Sequence, residues 1–142
     1  MVAGKKGSRK ETKPKKIKKV SEGRGIIHGK FSFNNTSFDL SKRNGDVLTT
    51  VSAGSVDLGN NKKVTGTKKA TLFMAEKVVR EIIRRAIEFG VRDVEIQVRG
   101  IGIGRDTAIK TILGEKSLNV GALIDRTPIP HGGCRPRKRP RK

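Results

Sequence analysis

Fifteen of this chain's twenty net positive charges lie at its two ends, which confines folding to the middle. Residues 1–25 carry ten Lys or Arg against two Glu, and residues 126–142 carry seven Lys or Arg with no acid. A run such as Lys13-Pro14-Lys15-Lys16-Ile17-Lys18-Lys19 cannot bury enough apolar surface to offset the entropy of ordering it, and its like charges repel into extended forms. Such ends take a fixed shape only against a counter-charged surface. The central hundred residues have a net charge of +5 and hold every strong hydrophobic period. The expected division is a basic extension over 1–25, a folded core over 26–126, and a basic Pro/Arg-rich tail over 127–142.

Within the core, Ile27, Phe31 and Phe33 alternate with His28, Lys30 and Ser32, the period of a half-buried strand over 26–33. Asn34-Asn35 ends it. Thr36 to Leu40 and Val47 to Ala53 read as two further strands, joined through Arg43-Asn44-Gly45-Asp46, residues that tolerate positive φ. Gly54 to Ala70 has no period and two lysine pairs, Lys62-Lys63 and Lys68-Lys69, so a long surface loop is expected. Leu72, Ala75, Val79, Ile82, Ile83 and Ala86 recur at helical spacing between an N-cap at Thr71 and a stop at Gly90, predicting a helix over 72–89. Its other face pairs Glu76 with Arg80 and Glu81 with Arg85 at four-residue spacing. A strand through Val94, Ile96 and Val98, a short helix over 105–113, and a strand through Leu118, Val120, Ala122 and Ile124 complete the order β-β-β-α-β-α-β. The economical fold is an α/β mixed five-stranded sheet packed by two helices.

Composition narrows the function. At 142 residues there is room for one core, not two. No uncharged apolar run reaches the ~18 to 20 residues of a membrane span, and neither a secretory signal nor an anchor is expected. One cysteine, Cys134, and two histidines, His28 and His131, fall short of a structural zinc set. His131 and Cys134 lie in a Pro- and Arg-rich tail with no core to exclude water, so they suit neither a nucleophile and base nor a metal pair. The acids show no motif spacing. No catalytic residue, metal, cofactor or small-molecule substrate is expected. Without Trp or Tyr and with only five Phe, base stacking on an aromatic platform is disfavoured, so recognition must rest on charge and shape.

Two segments carry that chemistry. Gly100-Ile101-Gly102-Ile103-Gly104-Arg105 follows a strand and opens a helix, a setting in which backbone amides can hold phosphate. Its spacing fits neither a dinucleotide fingerprint nor a Walker loop. Two readings remain open: the glycines admit a polynucleotide backbone beside Arg105, or they only make a tight strand-to-helix turn. The tail Arg135-Pro136-Arg137-Lys138-Arg139-Pro140-Arg141-Lys142 is held extended by proline and offers guanidinium forks to phosphates.

Phe33-Asn34-Asn35-Thr36, Lys68-Lys69-Ala70-Thr71, Gly100-x-Gly102-x-Gly104-Arg105 and the segment from Asp125-x-Thr127-Pro128 to Cys134-Arg135-Pro136 together resemble small-subunit ribosomal protein eleven in its bacterial and organellar form. The likeness covers roughly Gly25 to Lys142. It implies a ribonuclease-H-like scaffold without catalysis. It also implies a seat on the platform of the small ribosomal subunit, near the messenger exit and Shine-Dalgarno cleft, beside neighbouring platform and head proteins. The compartment implied is a bacterial cytoplasm or an organelle. The chain departs from the family pattern in having Gly132-Gly133 where Asn-Gly is usual, and Ile101 and Ile103 where prolines are common.

The candidate contacts to ribosomal RNA are therefore Asn34 and Asn35 at a turn, Lys62, Lys63, Lys68 and Lys69 in the long loop, Arg105, and His131, Arg135, Arg137, Lys138, Arg139, Arg141 and Lys142 in the tail. Two rival readings of other classes exist. A nuclease on the same scaffold needs clustered carboxylates, and the first strand offers none. A nucleoid-type DNA binder suits the charge but lacks a helix that presents side chains to a major groove.

Overall fold

The computed structural model describes residues 23–56 and 64–141. Lys62, Lys63, Lys142 and nearly all of the N-terminal extension lie outside these residues. Five strands, β1 (Arg24–Phe31), β2 (Thr36–Ser41), β3 (Val47–Ser52), β4 (Asp93–Gly100) and β5 (Asn119–Asp125), alternate with helices α1 (Leu72–Glu88) and α2 (Arg105–Leu113) in the expected order. The sheet runs β3-β2-β1-β4-β5. β1, β2 and β3 form the antiparallel meander, while β4 pairs parallel to β1 and β5 parallel to β4, so the sheet is mixed as anticipated.

One face of the sheet is covered by helix. Ile27, Phe31, Phe38, Leu40, Val51, Ile96 and Val98 meet Met74, Val78, Val79, Ile82 and Ala86 in one core. Phe31 and Phe38 stand edge to face with ring centroids 5.4 Å apart, an arrangement that adds about 0.5–1.5 kcal/mol to area burial. Gly29 lies between Ile27 and Phe31 on that face, and a Cβ there would come within 2.9 Å of the Phe38 ring. The helix ends follow from local chemistry. Thr71 Oγ1 accepts from the Met74 amide at 3.4 Å at the start of α1. At its end Gly90 turns to φ +80, letting the amides of Gly90 and Val91 donate to the carbonyls of Ile87 and Ala86, which satisfies carbonyls the helix leaves over.

Four sequence expectations need correction. β1 begins and ends two residues earlier than 26–33, because Ser32 closes a turn with Asn35; Phe33 is consequently not in the core but 68% exposed. Leu72 is exposed in the first turn of α1, and Met74 and Val78 join the buried stripe instead. The fifth strand spans Asn119–Asp125, with Ala122 exposed, Val120 and Ile124 half-buried and only Leu118, just before it, buried, because β5 is an edge strand with a register shift at Val94/Glu95. Within the long loop, Gly66–Ala70 forms a 3-10 turn.

Candidate nucleic-acid interface

Strand direction decides where the loops go. β1, β4 and β5 run parallel, so Phe31, Gly100 and Asp125 end at the same edge of the sheet. β2 begins and β3 ends at that edge too, since Phe31 faces Thr36 and Ser37 faces Ser52 in the antiparallel register. The Asn34-Asn35 turn, the loop after β3, the glycine loop and the tail therefore all emerge from one end. The opposite end carries the Lys42–Asp46 turn and the connections at Gly90 and Glu115–Leu118. In open α/β sheets, ligands gather at the carboxyl ends of the parallel strands.

At that end the side chains divide into free and engaged sets. Asn34 is exposed, whereas Asn35 is half-buried, its carbonyl accepting from the Ser32 amide and hydroxyl and its amide donating to Ser32 Oγ. Asn35 Oδ1 is the one buried side-chain polar atom left without a partner among the described residues. Lys68 is exposed on the 3-10 turn that delivers the chain to Thr71, and its carbonyl accepts from Thr71 Oγ1 at 2.9 Å. Lys69 is half-buried beside Gly54, where a Cβ would stand 3.3 Å from Lys69 Cε. His131, Arg135, Arg137, Lys138, Arg139 and Arg141 are all exposed along a tail without regular structure.

Arg105 behaves differently. Its guanidinium donates to Asp125 Oδ2 at 2.6 Å and to the Gly100 carbonyl at 3.2 Å. Asp125 Oδ1 accepts from the Thr127 hydroxyl at 2.6 Å and amide at 2.9 Å, and the same hydroxyl accepts from the Gly100 amide at 3.1 Å. The Arg126 amide donates to the Val98 carbonyl. Thr127, then Arg105, hold the Asp125 carboxyl at a pKa of about 2, below its ordinary 3.8. This latch fixes where the tail leaves the core. Sequence reasoning does not find it: Asp125 and Thr127 are visible as a motif, but Arg105 lies twenty residues away from its acid.

The glycine loop has the geometry of its tight-turn reading. A Cβ on Gly100 would stand 2.0 Å from the Phe31 carbonyl oxygen, on Gly102 2.5 Å from that of Ser32, and on Gly104 2.6 Å from Ala75 Cβ. Each glycine is required by contact with the protein's own chain, which makes the turn tight and holds it against the Asn34-Asn35 turn and α1.

The outer face of α1 is a weaker candidate for phosphates. Arg80 pairs with Glu76 at 2.5 Å, Arg84 with Glu81 at 2.7 Å and with Glu88, and Arg85 with Glu81 at 2.8 Å. The bonds from Arg84 and Arg85 draw the Glu81 carboxyl below its usual range. Their charge is largely compensated within the helix. No group of three or more His, Cys, Asp or Glu suited to a metal ion occurs among the described residues, and no described helix is long and apolar enough to cross a membrane.

Comparison with known proteins finds relatives along nearly the whole chain. The family model for ribosomal protein S11 matches residues 25–141. A small ribosomal subunit protein uS11 from Nautilia profundicola is 42% identical over 133 residues, which is 94% of this chain and 97% of that protein. The uS11 of Thermotoga maritima is 40% identical over 127 residues, 89% and 92% of the two chains, and that of a Nitratiruptor species 39% identical over 140 residues, 99% of each.

Proposed function

The chain belongs to the ribosomal protein S11 family, a structural constituent of the small ribosomal subunit and not an enzyme, and from that premise we propose that it docks on small-subunit ribosomal RNA by the loop-bearing end of its sheet. Ribosomal RNA and ribosomal proteins are its partners. The seat is the platform, near the messenger exit and Shine-Dalgarno cleft, beside platform and head proteins and with messenger RNA nearby. There the chain supports assembly and translation, in a bacterial cytoplasm or an organelle.

The observation that carries this reading is the convergence of four connections at one edge. Asn34 and Asn35 approach RNA from the β1–β2 turn, and Lys62, Lys63, Lys68 and Lys69 from the loop before α1. His131, Arg135, Arg137, Lys138, Arg139, Arg141 and Lys142 track phosphates from the tail. Arg105 contributes by aiming the tail through Asp125 rather than by gripping phosphate itself. Contacts of this kind supply affinity and register, and RNA shape supplies selectivity.

Deleting residues 135–142 tests the proposal. Every single-strand phosphate that the shortened chain no longer neutralises removes roughly 0.7 from the slope of log affinity against log salt, and the segment carries six Lys or Arg. The slope should flatten by up to about 4 units for RNA read through unpaired nucleotides. An unchanged slope would remove the tail from the interface.

A further inference from the structure

The tail root does more than leave the core: it walls a groove of about 460 Å³ at the ends of β1 and β4. Ile101, Pro128, Ile129 and Pro130 line it beside Phe31, and Lys30 and Arg99 are the charged residues of its lining. Ile101 is 67% and Ile129 74% exposed, so the apolar lining of the groove is open to contact. Lys30 and Arg99 are register partners on the neighbouring strands β1 and β4. Neither has an ion-pair partner among the described residues. Two cations held side by side repel until a carboxylate or phosphate lies between them.

We infer that this groove receives an acidic, apolar segment of another protein in the assembled small subunit, with a carboxylate between Lys30 and Arg99 and an aliphatic or aromatic side chain against Ile129 and Ile101. The inference rests on the ribosomal reading above. The chemistry of the lining favours a peptide over RNA. Bases stack best on exposed rings, yet the ring that lines this groove, Phe31, is 2% exposed, and aliphatic floors reward hydrocarbon. The net charge of +8 over residues 1–25 and of +20 over the whole chain suits neither the N-terminal extension nor a second copy as the partner of the Lys30 and Arg99 pair.

The test uses small subunits assembled with the full-length chain bearing a photoreactive benzophenone residue in place of Ile129 or, separately, Ile101. The crosslinked peptide is then identified by mass spectrometry. The expected product is a peptide of a different ribosomal protein with Asp or Glu beside an apolar residue. Its yield should fall at least roughly tenfold when Lys30→Glu and Arg99→Glu are added, while co-sedimentation with the subunit is retained. Crosslinks confined to RNA or to another copy of this chain, no crosslink, or a yield indifferent to charge reversal would each overturn the inference. So would loss of co-sedimentation on charge reversal, since the pair would then belong to RNA. If the unaltered chain itself fails to co-sediment with small subunits, the proposed function falls and this inference with it.

Discussion

Replacing Gly100 with alanine should cost far more than replacing Gly45, although the two glycines share nearly the same backbone. Their φ angles are +100° and +91°, so a Cβ meets similar intrinsic strain at both, about 1–2 kcal/mol. Around Gly45 a Cβ would find nothing within 4 Å, whereas at Gly100 it would lie 2.0 Å from the Phe31 carbonyl oxygen, where 3.0 Å is the practical limit. The loop must retreat by about 1 Å from a backbone atom that cannot yield as a side chain can. That retreat breaks the Gly102 amide bond to the Phe31 carbonyl and the Gly100 amide bond to Thr127, each worth about 0.5–1.5 kcal/mol. Gly100→Ala should therefore cost about 2–5 kcal/mol in all, against the 5–15 kcal/mol typical of a whole domain. Urea unfolding of the full-length chain, followed by far-ultraviolet circular dichroism, should place its midpoint about 0.5–1.5 M below that of Gly45→Ala, for a slope near 2 kcal/mol per molar. Equal midpoints would show that the loop moves freely from β1, and would return the glycines to a role in admitting an outside backbone.

Other perturbations separate the remaining parts. The Asp125 carboxyl, depressed to about 2, stabilises the latch fully above its unfolded value of 3.8 and ceases to do so as pH falls through about 2; an NMR titration of the Thr127 amide should report that midpoint, vanish in Asp125→Asn, and contradict the latch if centred near 3.8. Arg137→Ala should lower the RNA salt slope by roughly 0.7, while Arg105→Ala should weaken affinity with the slope kept; equal reductions in slope would make Arg105 a direct phosphate ligand. Phe38→Ala, at a fully buried ring, should cost about 3–5 kcal/mol, whereas Phe33→Ala should stay within about 0.5 kcal/mol, both measured by thermal unfolding.

Elements whose signal is local are legible in the sequence. The stripe of α1 from Ala75 to Ala86, its Thr71 cap and its Gly90 stop depend on neighbours within a turn and stand where spacing puts them, Leu72 in the first turn excepted. The i,i+4 pairs of α1 are readable for the same reason. Phe33 misleads because alternation continues past the point at which a Ser32 hydroxyl closes a turn. The exposure of Ala122 is hidden because edge position is a property of strand order, which no window of residues contains. The proposed site is legible as a set of charges and illegible as a geometry. That Arg105 spends its guanidinium on Asp125, and that Lys30 stands next to Arg99, are long-range facts created only when β4 pairs with its neighbours.

The hairpin between β2 and β3 lies at the far rim of the sheet, closed by the Lys42 amide on the Asp46 carbonyl and the Gly45 amide on the Lys42 carbonyl, with open space around Gly45. A probe or short peptide spliced in at Asn44 would thus point away from every connection proposed to meet RNA. Under the proposed docking it gives experimenters a handle for fluorescent tracking or affinity pull-out of intact subunits, whereas the same insertion beside Lys68 should block entry.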